Sequence, residues 1–180
     1  MAGSEPNDGV AREFIQDFGE AYLQFGLPRL MGHVVGLLLS DPGPLSLDAI
    51  TERLQVSKGP VSQVMRRLRD AGLVEKQWVP GSRRDYYRAH PDIFGRAFAN
   101  HAALLRTNLE LARRYRDRVD ADADPHFATR VAEMEAFYAR MVSQLSEFLG
   151  AWQREWESSW KDRIDASGTS PATGEPGAAS

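Results

Sequence analysis

The sequence predicts a mainly α-helical protein with a small β-hairpin wing: a winged helix-turn-helix with N-terminal helices before it and two long C-terminal helices after it. Three observations predict this. Between Leu45 and His90 the signals run helix, short turn, helix ended by glycine, then two strands about a tight turn. Beyond Pro91, two apolar seams repeat at spacings of four and three. Ahead of Leu45, apolar residues recur at helical spacing.

The N-terminal helix is expected over Val10–Gln24, where Val10, Phe14, Phe18, Ala21 and Phe25 form one stripe. Gly26 closes it, and Pro28 opens a second, largely buried helix to Leu39. Asp41-Pro42-Gly43-Pro44 stops that helix. Ser46 is an N-cap for a helix over Leu47–Leu54, with Asp48 and Glu52 on its wet side. After a turn at Gln55 and Val56, Ser57 caps a helix through Ala71 that Gly72 ends. Pro60 falls in its first turn, where a missing N–H costs little. Strands over Leu73–Val79 and Arg83–Ala89 flank the turn residues Pro80-Gly81-Ser82.

Pro91 opens a helix to about Val119 with the seam Phe94, Phe98, His101, Leu105, Asn108, Ala112, Tyr115 and Val119. Aspartates at 120, 122 and 124 break it; Asp124 caps and Pro125 starts the last helix. Its seam is Phe127, Val131, Met134, Tyr138, Met141, Leu145, Phe148 and Trp152, continued by Trp156 and Trp160. The expected organisation is a tail over 1–9, N-terminal helices over 10–44, the winged segment over 45–90, a helical dimerisation region over 91–165 and a tail over 166–180.

Composition narrows the function classes. The 180-residue chain is 42% hydrophobic, enough for a sizeable core, and contains no cysteine. Disulfides, thiolate metal sites and cysteine nucleophiles are therefore excluded. No apolar run is long enough to span a membrane, and the polar N-terminus lacks an apolar signal core, so a cytoplasmic protein is expected. The histidines at 33, 90, 101 and 126 are scattered without metal-ligand spacing. No Gly-rich phosphate loop, nucleophile elbow or HExxH is present. Asp122 and Asp124 read as loop and cap residues. No catalytic residue, metal ligand or cofactor is assigned, and an enzyme is not expected.

The net charge of −3 hides a strong asymmetry. From Arg53 to His90 there are nine basic and three acidic residues, a local excess of +6 that leaves −9 for the rest. Screening confines distant charges to a reach of about 8 Å, so such a patch can bind phosphate on an acidic protein. Helix geometry puts Val61, Val64, Met65, Leu68 and Ala71 on one side of the Ser57 helix. Gly59, Ser62, Gln63 and Arg66 fall on the other, flanked by Lys58, Arg67 and Arg69. That face suits a DNA major groove: Gln63 for adenine, Arg66 for guanine, Ser62 for bases or phosphate. Ser57 and the free amides at the helix start suit a phosphate, and Gly59 keeps that start narrow. Arg83 and Arg84 at the hairpin tip suit a backbone or minor groove. The expected partner is double-stranded DNA. The alternative is a winged module that binds protein without DNA, which requires apolar residues on that outer face.

At these residues the sequence resembles GbsR-like transcriptional regulators of the MarR superfamily. The resemblance is carried by Phe25 to Leu38, Leu45 to Ile50, Val56 to Ser62, Leu68 to Val74 and Pro80 to Tyr87, and covers about Val10 to Ala89. It implies a dimeric transcriptional regulator, often a repressor, with helical extensions that dimerise. The chain departs from the pattern at Pro60, where a small polar residue is commoner, and at His33, where many members have arginine.

Two heptad helices with a short connection are expected to form an antiparallel pair that leaves apolar surface for a second copy. The dimerisation residues expected are Phe14, Phe18, Phe94, Phe98, His101, Leu105, Tyr138, Leu145, Phe148 and Trp152. The bland reading folds both helices back on the winged segment. His101 and Asn108 read as polar residues that set register, with ligand or pH sensing as the alternative. Trp152, Trp156 and Trp160 read as helix packing; a cage for a quaternary ammonium is the alternative. A small-molecule effector is left open and without identity.

Overall fold

The computed structural model describes residues 6–167, with side chains from Asp8 to Ser159. The elements are α1 (Pro6–Gln24), α2 (Arg29–Ser40), β1 (Leu45–Ser46), α3 (Leu47–Leu54), α4 (Lys58–Asp70), β2 (Val74–Gln77), β3 (Tyr86–Ala89), α5 (Ile93–Arg116) and α6 (Pro125–Ser167). They form two compact units divided between Ala97 and Phe98. This boundary falls inside α5, not at Pro91 where the sequence placed it. Residues 1–5 and 168–180, to which the expected tails largely belong, lie outside the described residues, as does the side chain of Trp160.

α1 starts four residues before Val10, so Pro6 to Gly9 are helical and not tail. Proline sits there at the first helical position, where its fixed φ favours a start. α1 and α2 meet through small residues. Gly32 and Gly36 of α2 face Phe18, Gly19 and Ile15 of α1, and Gly19 lies under the His33 ring. Gly26, at φ +72°, makes the turn between the two helices.

Ser46 caps α3 as its position implies, its hydroxyl accepting from the Ala49 amide at 3.2 Å. Gln55 then takes a left-handed conformation, φ 53°, to link α3 to α4 without glycine. The inner faces bury Ile50 of α3 and Val61, Val64, Met65 and Leu68 of α4 against Val34, Val35, Leu37 and Leu38 of α2. Full burial of each such aliphatic side chain contributes about 1.5–3 kcal/mol. This is the core beneath the helix-turn-helix.

The sheet has three strands in the order β1-β3-β2, all antiparallel. The expected hairpin is present, with Val74 opposite Ala89 and Gln77 opposite Tyr86. The third strand was not expected. It is two residues long, Leu45 and Ser46 opposite Tyr87 and Tyr86, too short to show alternation. Both hairpin strands stop short of the turn: β2 ends at Gln77 and not at the expected Val79, and β3 starts at Tyr86 and not at the expected Arg83. Pro80 lacks an N–H, Gly81 has φ +79°, and Ser82 Oγ accepts from the Arg84 amide, which together turn the chain out of the ladder.

α5 begins at Ile93 and not at Pro91, because Asp92 supplies the cap: its carboxylate accepts from the Gly95 amide at 3.1 Å. In the second unit the rest of α5 pairs with α6 in antiparallel order, Phe98 with Phe148 and Arg116 with Glu135. Asp124 caps α6 through the Phe127 amide at 2.9 Å. The buried stripe of α5 is Ala102, Leu105, Leu109 and Ala112, rotated from the expected seam. Alanines permit close approach, so the larger Phe98, His101 and Tyr115 stand exposed on one flank. Leu105 is buried within its own unit, while Phe14, Phe94, Phe98, His101 and Phe148 are exposed. Phe18, Tyr138, Leu145 and Trp152 are half-buried.

Candidate nucleic-acid interface

α4 is amphipathic in the sense its sequence implies. Its inner face is buried, while Lys58, Gly59, Gln63, Arg66, Arg67 and Arg69 are exposed and Ser62 is half-buried. The opposite faces follow from the 3.6-residue period alone. Ser57 stands at the N-cap position with extended backbone, but its side chain makes no cap hydrogen bond. The expected Ser57 cap is therefore a correction: the position is right and the bond is absent. Ser57 is exposed, and its hydroxyl and the first amides of α4 are not bonded to one another.

The wing is the segment from Trp78 to Asp85 between β2 and β3. Arg83 and Arg84 are both exposed within it, and Trp78 is 76% exposed at its base. The β1–β3 pairing ties the wing strands to the start of α3. Wing strands and recognition helix therefore share one packed core.

Charge is distributed differently from the sequence count. The +6 excess considered only residues 53–90, but the fold brings in two acids from outside that range. Asp41 pairs with Arg53. Asp48 accepts from Lys58 Nζ at 2.7 Å and lies 3.6 Å from Arg84. Lys76 pairs with Asp85 at 2.5 Å and Arg88 with Glu75 at 2.6 Å. Among the described residues, Arg66, Arg67, Arg69 and Arg83 have no carboxylate at ion-pair distance. Of these, Arg66, Arg67 and Arg83 are the most available to a phosphate, since Arg69 also acts electrostatically on the Asp85 carboxylate. The Lys58 ammonium and the Arg84 guanidinium hold the Asp48 carboxyl below the usual carboxylate range.

Sequence reasoning treated Asp48 only as a solvent-facing helix residue. Its two partners lie 10 and 36 positions away, on another helix and in the wing, so no local spacing announces the contact. Trp78 falls within the strand expected over Leu73–Val79; its exposure is a tertiary result. Among the described residues no three His, Asp or Glu side chains cluster as metal ligands, and no helix is long and apolar enough to cross a membrane.

A helix-turn-helix with a buried inner face, a basic and amide-bearing outer face and an arginine-tipped wing defines a winged-helix DNA-binding protein. Residues 25–85 match the family model described as the MarR family. The chain is 31% identical over 159 residues to the HTH-type transcriptional regulator MmpR5 of Mycobacterium tuberculosis, covering 84% of this chain and 90% of that one. It is 32% identical over 80 residues to the HTH-type transcriptional repressor OpcR of Bacillus subtilis, 44% of this chain and 43% of that one. A solved crystal structure of a transcriptional regulator superposes with a TM-score of 0.69 at 29% identity, covering 81% of this chain and 99% of that one. The chain belongs to the MarR family and is a DNA-binding transcriptional regulator.

Proposed function

We propose that the protein acts in the cytoplasm as a homodimeric repressor that reads a near-palindromic operator. Each copy lays α4 in a major groove and sets its wing on the adjacent backbone or minor groove. Ser57, Lys58, Gly59, Ser62, Gln63, Arg66 and Arg67 form the groove surface, and Arg83 and Arg84 the wing contact. The observation that carries this reading is the exposed polar and basic face of α4 directly opposite its buried face. A protein-binding winged module would expose apolar residues there, whereas Gln63, Arg66 and Arg67 stand out.

Two-fold operators require two copies at fixed spacing. The exposed flank of the second unit supports a homodimer. Phe98 and Phe148 touch at 6.0 Å between ring centroids yet remain 51% and 53% exposed. With His101, Met141, Gln144 and Leu145 they line an open, largely apolar groove of about 410 Å³. The match to a named repressor across the winged segment supports repression. We also place the chain in the GbsR-like branch, on the residues quoted from Phe25 to Tyr87, and leave an effector unidentified.

The test is selection of genomic fragments bound by the full chain, followed by mapping of the protected site. A protected near-palindrome is the expected result. Absence of any selected fragment, or a protected site without two-fold symmetry, overturns the reading. On the selected operator, Gln63→Ala or Arg66→Ala should relax preference at one base position, whereas Arg83→Ala with Arg84→Ala should weaken all sequences alike.

A further inference from the structure

We propose that Asp48 sets the strength of phosphate binding: an internal anion that competes with DNA phosphate for Lys58 and Arg84 and so keeps binding to non-operator duplex weak. This rests on the DNA-contact role proposed for those two cations. Asp48 lies in the first turn of α3, Lys58 is the first residue of α4, and Arg84 belongs to the wing. One carboxylate thus contacts both elements proposed to touch DNA, at 2.7 and 3.6 Å.

The pairs are exposed on both sides, with the Asp48 side chain 51% exposed. Solvent-exposed ion pairs are weak and exchange readily. A phosphate approaching Lys58 or Arg84 must either displace Asp48 or approach with that carboxylate still in place. In both cases the carboxylate opposes the approach. Non-operator binding is almost wholly cation–phosphate pairing, so it bears this penalty without compensation. Operator binding adds base contacts from α4, which the penalty does not touch. Asp48 therefore lowers both affinities, and only operator binding has base contacts that keep it strong once phosphate pairing is weakened. Of the cations proposed to touch DNA, Arg66, Arg67 and Arg83 have no carboxylate at ion-pair distance among the described residues, so Asp48 acts on Lys58 and Arg84 alone.

The experiment uses the full chain and fluorescence anisotropy with two duplexes: the selected operator and a scrambled sequence of equal length. Asp48→Asn is titrated at several salt concentrations, with Asp48→Ser as a second neutral variant; thermal unfolding of each establishes that it is folded. The expected result is tighter binding to both the scrambled duplex and the operator, by about three- to ten-fold. The salt slope should steepen by about one to two counterions. The Lys58→Ala, Arg84→Ala double variant should weaken binding, and adding Asp48→Asn to it should restore much less than in the parent. Unchanged or weaker scrambled binding by both neutral variants, while the double variant still weakens binding, overturns this inference alone. A double variant that binds like the parent overturns it together with the contact role of Lys58 and Arg84.

Discussion

Gly32 of α2 lies so close to α1 that a β-carbon there would stand 2.5 Å from the Phe18 carbonyl oxygen and 2.8 Å from the Gly19 α-carbon. Both obstacles are backbone, which cannot rotate away. Gly32→Ala is therefore expected to destabilise the first unit by about 1–3 kcal/mol, as overpacking does. At Gly36 the corresponding approach is 3.2 Å to the Ile15 α-carbon, so Gly36→Ala should cost less. Urea unfolding of both variants checks the order; equal midpoints to the parent at Gly32 contradict the packing.

Two serines occupy N-cap positions and differ in what they bond. Ser46 accepts from the Ala49 amide, whereas Ser57 makes no side-chain cap bond. Ser46→Ala should cost about 0.5–2 kcal/mol. Ser57→Ala should stay within about 0.5 kcal/mol of the parent. Any effect of Ser57→Ala should be seen in DNA affinity, measured by anisotropy, and not in thermal unfolding.

Ile50 and Leu68 are among the largest fully buried side chains and hold α3 and α4 to the same core. Truncating either to alanine should cost about 2–5 kcal/mol through lost burial and the cavity left behind. Chemical denaturation measures this. DNA affinity per folded molecule should fall little, because neither residue faces outward.

His33 packs over Gly19, with its Nε2 enclosed and without a protein hydrogen-bond partner. Burial first, and then the Arg29 charge, push its pKa below the ordinary histidine value, against a smaller opposite pull from Glu20. His90 is shifted the same way, chiefly by burial. A depressed folded-state pKa means that the unfolded chain takes up the proton first. The stability these residues contribute is complete above about pH 6.5 and is lost as pH falls towards the folded values. Thermal unfolding at pH 7.5 and 5.5 should show this loss. His33→Gln should make the loss smaller, and an identical loss in that variant contradicts the assignment.

The exposed Phe98 and Phe148 pair is expected to face a second copy. Glutamate at both positions should convert a dimer to a monomer in light scattering, while leaving the helical circular dichroism signal of the chain intact. A parent protein that is monomeric at working concentration ends the dimer proposal.

Much of the winged segment was legible locally. Ser46, the Leu47–Leu54 helix, the outward face of α4 and the Asp124 cap follow from signals contained within a few residues, where period and capping chemistry act. Element ends were less legible. Pro91 resembled a helix start, but Asp92 had the side chain that bonds an amide. β1 carries two residues and exists only because β3 lies beside it.

By itself the sequence determined the fold class, the order of helices and strands and which side of α4 is apolar, because each depends on periodicity along a single stretch of chain. Tertiary structure alone decided which cations are free. Asp41 and Asp48 reach Arg53, Lys58 and Arg84 across the fold, so the uniform basic patch counted along the chain becomes, among the described residues, four arginines without an ion pair and five paired cations, of which Lys58 and Arg84 share Asp48. It also decided which flank of α5 is buried, since only the meeting with α6 selects Ala102, Leu109 and Ala112 over the aromatic side chains beside them. Interactions between residues distant in sequence depend on where the backbone brings them, and neither spacing nor composition encodes that distance.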